Sequence, residues 1–141
     1  MVIQRWQTVF LFIAAVLMAL FTFMPFASAT VDSQVANLHP KDFPVYLILN
    51  LLIAVLLFLA IFMYRNLKLQ KKVALLSMLL MCCSAVCGGF LLYGPNAPKG
   101  AVELVWAGGI LLLLGALVFA ILAYRGIGKD QRTLSSYDRI R

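Results

Sequence analysis

The sequence predicts an all-α membrane protein, a single domain over residues 1–141 in which four transmembrane helices form an antiparallel bundle with both termini inside. Three observations predict it. First, the 141 residues are 64% hydrophobic and 12% charged, with a mean hydropathy of +0.99, whereas soluble domains carry roughly 25% charged residues to cover their surface. Second, the charges are confined. Between Arg5 and Asp32, Asp42 and Arg65, Lys72 and Lys99, and Glu103 and Arg125 lie windows of 26, 22, 26 and 21 residues without Asp, Glu, Lys or Arg. A span needs about 20 apolar residues, rising 1.5 Å each, to cross a hydrocarbon core of roughly 30 Å. Third, the net charge of +7 is unevenly placed. Arg5, then Arg65, Lys68, Lys71 and Lys72, then Arg125, Lys129, Arg132, Arg139 and Arg141 face only two acids, Asp130 and Asp138, in the same segments. The other two loops hold Lys41 and Lys99 against Asp32, Asp42 and Glu103. By the positive-inside rule the first three segments are cytoplasmic. Topology and anionic inner-leaflet lipid account for the basic charge, so no nucleic-acid partner is required. A soluble enzyme domain and a disordered basic tail are excluded.

The helices are expected near 6–26, 43–64, 73–93 and 102–124, with a basic cytoplasmic tail over 125–141. Aromatic residues mark the same boundaries, because Trp and Tyr favour the membrane interface. Trp6, Tyr64 and Tyr124 fall at the inner ends, and Tyr46, Tyr93 and Trp106 near the outer ones. The first window closes on Ala27-Ser28-Ala29, the small-residue pattern that signal peptidase cuts. Its apolar run, Thr8 to Phe26, is longer than a signal peptide's, so it is expected to stay as a helix. The outer loop from Ala27 to Asp42 holds the only histidine, His39, expected as a solvated loop residue without further metal ligands near it. Asp42 is placed to cap the second helix, with Pro44 in its first turn. Gly94 to Gly100 reads as a tight turn between the third and fourth helices.

Chemistry is sparse along these windows. A proton-coupled exporter of this size needs an acid at membrane depth, and Thr8 to Phe26 contains none. Cys82, Cys83 and Cys87 share the third helix without an outer Cys-x-x-Cys pair and read as small apolar filler in a helix interface. No catalytic, metal-binding or cofactor-binding residues are assigned. Gly88, Gly89, Gly108 and Gly109 would reach similar depth if the third and fourth helices folded as a hairpin, so those helices are expected to meet there. Asn50 and Ser84 are the other candidate packing residues, as interhelical hydrogen-bond partners.

The cytoplasmic segments carry a more specific signal. Ile3-Gln4-Arg5, the run from Ile61 to Gln70, and the tail with Lys129-Asp130 and Asp138-Arg139-Ile140-Arg141 together resemble the family of domain of unknown function 4293, small four-pass inner-membrane proteins of Bacteroidota. Arg125-Gly126-Ile127-Gly128 departs from the more basic, alanine-containing stretch of that family. The resemblance spans the chain and implies topology and localisation, with no activity attached. Leu134, Tyr137 and Ile140 recur every three residues, and Ser135 with Asp138 has capping-box spacing. The expected function is therefore non-enzymatic: an accessory or scaffolding subunit of a larger bacterial inner-membrane complex. Its expected partners are lipid and other membrane or cytoplasmic proteins, with a homo-oligomer as a further option. The candidate interaction surface comprises Arg5, Arg65, Lys68, Lys71, Lys72, Lys129, Asp130, Asp138, Arg139 and Arg141. The alternative is a small oligomeric transporter or channel, which a water-filled cavity near Asn50 and Ser84 would favour.

Overall fold

In hydrocarbon the backbone has no water to bond to, so an apolar segment is stable there only with its hydrogen bonds closed within a helix or a closed sheet. The computed structural model describes residues 2–95, 97–105 and 109–140, with backbone alone for residues 2–5. Four long helices dominate: α1 (Val2–Phe23), α2 (Pro44–Phe62), α3 (Leu67–Tyr93) and α4 (Leu111–Ile140). All four are long and apolar enough to cross a membrane. Trp106, Gly108 and Arg141 lie outside the described residues, as does the side chain of Arg5.

Burial within each helix follows a heptad. Tyr46, Asn50, Ile53, Leu57 and Ala60 are buried on α2, and Ala116, Ala120, Ala123, Ile127 and Asp130 on α4, in alternating steps of four and three. On α3 the same stepping runs through Gln70, Ala74, Ser77, Met81, Ser84 and Gly88. Such a seam gives the shallow left-handed crossing of helical bundles. Many of its members are small, which lets backbones approach closely where no hydrophobic drive separates helix from lipid. The other faces stay apolar yet exposed, with Ile48, Phe58, Val86 and Phe90 among them, as expected of surfaces meant for acyl chains. Each helix neighbours two others, in the order α1, α2, α3, α4 and back to α1. Side chains set the register. Gln70 meets Ala60, Ser84 meets Asn50 and Gly88 meets Tyr46, while Gln7 meets Asp130, Leu17 meets Gly115 and Phe26 meets Gly109.

The first outer loop and the expected start of the fourth helix hold a small sheet instead. β1 (Ala27–Val31), β2 (Gln34–Leu38) and β3 (Ala101–Leu104) form an antiparallel sheet in the order β2-β1-β3. Val31 pairs with Gln34, so Asp32-Ser33 is a two-residue hairpin turn, and both residues take positive φ, 51° and 66°. The motif Ala27-Ser28-Ala29 lies in the central strand with Ala27 and Ala29 buried. Gly100, at φ 155°, lets the chain pass so near the Thr30 carbonyl that a Cβ would overlap it. The predicted turn opens with Ala97 donating to the Gly94 carbonyl at 3.0 Å, and the chain then leads to β3 rather than straight into α4.

Several helix ends move accordingly. α4 does not start at 102, because residues 101–104 pair with β1, and it does not stop at 124 but runs unbroken to Ile140. The Ser135–Asp138 spacing thus falls inside a helix and caps nothing. α3 starts at Leu67 rather than 73, since Asn66 caps it by accepting the Leu69 N–H at 3.3 Å. Phe43, not Asp42, occupies the N-cap of α2. Asp42 closes a 3-10 turn, Pro40–Asp42, and accepts the His39 N–H at 3.1 Å. His39 is half-buried in this loop. Its Nδ1 lies 3.0 Å from the carbonyl oxygen of Phe23, one of the open acceptors at the end of α1. The cysteines are exposed on α3 rather than packed between helices, and Cys87 lines an apolar cleft of about 300 Å³ with Tyr46, Leu49 and Phe90.

Candidate functional site

Polar side chains collect in two places, one at each end of the bundle. At the sheet end Ser84 donates to Asn50 Oδ1 at 2.7 Å, and the Asn50 amide donates to the Tyr46 carbonyl at 2.8 Å. The Tyr46 hydroxyl interacts with the Ser84 and Asn50 side chains and lies against Gly88. Tyr46 also packs edge-on to Phe21, at 87°, and beside Phe26. Asn50 and Ser84 are each 0% exposed and partnered. Every buried polar side-chain atom among the described residues has a partner. A closed network of this kind holds α2 on α3.

The described glycines of the two predicted pairs have different surroundings. Gly88 faces Tyr46 of α2, Gly109 faces Pro25 and Phe26, and Gly89 has nothing within 4 Å. α3 and α4 are neighbours nonetheless, and Gly108 lies outside the described residues. Ser77 bonds within its own helix, to the Val73 carbonyl at 2.9 Å.

At the opposite end lie the starts of α1 and α3, the end of α2 and the middle of α4. Gln7 donates to Asp130 Oδ2 at 2.7 Å, and Gln70 donates to the Ala60 carbonyl at 3.0 Å. Asp130 is thus buried against α1 rather than part of an exposed surface. Gly126 makes this contact possible, because a Cβ there would stand 2.8 Å from Gln7 Cγ. Two glycines in a helix interior cost about 1 kcal/mol each relative to Ala, and α4 carries Gly126 and Gly128 where α1 and α3 close in. Lys71 is half-buried with its Nζ 5.2 Å from the Tyr124 ring centroid, a cation–π contact.

Three open clefts adjoin one another here. One of about 480 Å³ lies between the α2–α3 turn and α4, with Arg65, Leu67 and Lys68 on one side and Arg132, Leu134 and Asp138 on the other. A second, about 360 Å³, has Lys68, Lys71, Lys72 and Tyr124 on its walls, and a third, about 560 Å³, has Lys71, Arg125, Lys129 and Arg132. The predicted surface residues Arg65, Lys68, Lys71, Lys72, Lys129 and Asp138 therefore share one rim, while Arg139 lies further along α4. The side chains that sequence reading missed are Gln7, Gln70 and Tyr46. Gln70 and Tyr46 sit at heptad positions of their helices, which is the signal that could have found them.

Four apolar helices of spanning length around a seam of small and paired polar residues define a multi-pass membrane protein. The chain belongs to the family described as Domain of unknown function (DUF4293), which it matches over residues 3–140. No curated protein and no solved structure matches it.

Proposed function

We propose that this protein is a non-enzymatic accessory or scaffolding subunit of a larger complex in a bacterial inner membrane. Its four helices run antiparallel, with both termini in the cytoplasm. Ten basic residues against two acids in the first, third and last connecting segments support that orientation. The contact pairs support the antiparallel sense, since they rise on one helix as they fall on its neighbour: 46 with 88, 50 with 84 and 60 with 70. The fully bonded Asn50–Ser84 pair supports a core that serves packing rather than passage.

One observation carries the reading. The last turns of α4 leave the bundle as a helix whose Leu134, Tyr137 and Ile140 are 49%, 65% and 83% exposed. Isolated helical segments of this length are marginal in water, and large apolar side chains standing in one row mark a binding face more often than a solvated one. The groove between Leu134 and the α2–α3 turn extends that face. Removing residues 134–141 tests the reading in the native membrane. Migration of the complex in mild detergent should shift to the size of the free protein, and any phenotype of deleting the whole protein should reappear. Unchanged migration and phenotype would remove the docking role.

A further inference from the structure

Orientation by charge needs lysines and arginines at one end of the helices, but it does not need them around a shared hollow. Lys68, Lys71 and Lys72 line one cleft and Lys71, Arg125, Lys129 and Arg132 the next, so Lys71 is the wall between the two. Among the described residues no carboxylate lines either cleft. Asp130, next in sequence to Lys129, is turned away and bonded to Gln7. Lys71 itself is held in place by the Tyr124 ring and by the bare backbone of Gly128, where a Cβ would lie 3.4 Å from its Nζ. Cations crowded in this way repel one another unless an anion lies between them.

We propose that the paired clefts are a headgroup site for an anionic glycerophospholipid, with one phosphodiester on each side of Lys71. A lipid carrying two phosphates then binds more tightly than a lipid carrying one. Arginine forks suit phosphate oxygens bidentately and lysines supply compact charge, and each cleft has at least three cations. The surroundings favour a lipid over a soluble anion. Leu75 and Tyr124 line the clefts at the limit of the apolar windows, and exposed Leu76 and Leu79 continue α3 into the bilayer, where acyl chains would lie. The inference rests on the membrane-spanning reading above, with this end at the inner leaflet.

The test uses the full chain, stripped of lipid in detergent, with diphosphatidylglycerol, phosphatidylglycerol and phosphatidylethanolamine added separately and bound lipid counted by native mass spectrometry. Diphosphatidylglycerol should be retained best and phosphatidylethanolamine least. Lys71→Gln with Lys129→Gln should weaken diphosphatidylglycerol at least tenfold, at about fivefold per neutralised cation. Arg65→Gln with Arg139→Gln removes the same charge outside both clefts and should change binding less than twofold. If the first pair lowers the unfolding temperature, Lys68→Gln with Arg132→Gln replaces it, one substitution drawn from each cleft. Equal loss in the cleft and control pairs would overturn the site in favour of diffuse attraction. Displacement of the lipid by millimolar inorganic phosphate would overturn it in favour of a soluble anion. The leaflet is tested separately by Ser135→Cys in a background lacking Cys82, Cys83 and Cys87. Labelling by an impermeant thiol reagent only after the membrane is opened supports the inner leaflet. Labelling in intact cells would overturn the topology while the detergent measurement still judged the clefts.

Discussion

At the end that carries the sheet, strand pairing, ring packing and the Tyr46–Asn50–Ser84 network tie α1, α2, α3 and the approach to α4 together. At the basic end, α4 leaves the bundle and its side chains from Arg132 onward stand exposed. The first end is tied by strand pairing and buried, partnered polar side chains, whereas the second keeps open clefts beside exposed charged side chains. Ligand-contacting segments are commonly drawn from the less stable parts of a fold, so the contrast supports the proposal that the sheet end is architectural and the basic end contacts other molecules. Substitutions should separate the two accordingly.

The largest effect is expected from Gly100→Val. The new side chain would have to take a φ near 155° and overlap the Thr30 carbonyl, a combination that costs on the order of 3 kcal/mol or more. Its counterpart at the basic end is Gly128→Ala, whose Cβ meets only the far end of the Lys71 side chain, Nζ at 3.4 Å and Cε at 3.7 Å. Helix propensity favours that change by up to about 1 kcal/mol. Thermal unfolding in detergent should therefore fall steeply for the first variant and hold or rise for the second. A fall of similar size in both would erase the contrast.

Next in size is Asp130→Ala, which leaves the buried Gln7 amide without its acceptor and should cost about 1 to 3 kcal/mol. Asp130→Asn keeps an oxygen at that position and should recover most of the loss. Recovery by Asn identifies the hydrogen bond as the stabilising element; equal loss in both variants would assign it to the carboxylate's charge. Ser84→Ala should cost less, about 0.6 to 2 kcal/mol, because the Asn50 amide retains the Tyr46 carbonyl.

How much of this was legible in the sequence follows from what each signal measures. Charge-free windows mark apolar stretches, so they found four helices but not their ends: Asn66 caps α3 ahead of its window, and α4 continues past Tyr124 to Ile140. The sheet was hidden because β1 pairs with distant β3, and because the β1–β2 hairpin turns through Asp32-Ser33, which carries no Gly to mark it. Ala27-Ser28-Ala29 has poor strand propensity, and β3 follows a Gly- and Pro-rich stretch that reads as a turn. Its small residues suit both a cleavage site and a crowded central strand, and periodicity cannot separate the two. Asp130 was read as surface because it is charged and sits among basic residues. Yet Ala116, Ala120, Ala123 and Ile127 step by four and three directly to it, so helix register outweighed residue type. The basic rim was accessible from composition alone, whereas the clefts within it depend on how far Gly126 and Gly128 let α1 and α3 approach α4.

The smallest effect on stability, and the most informative about function, is expected from replacing Leu134, Tyr137 and Ile140 together with Ser. All three are exposed and more than a turn beyond Ile127, the last large apolar side chain buried on α4. Surface changes of this kind stay within about 0.5 kcal/mol, so the unfolding temperature should not move. Association in the native membrane should be lost nonetheless, because the substitutions remove the apolar face while leaving Arg132 and Arg139 in place. The opposite pattern, a destabilised bundle with association intact, would mean that the end of α4 folds back onto its own protein. The division between an architectural end and a recognising end would then have to be redrawn around Asp130.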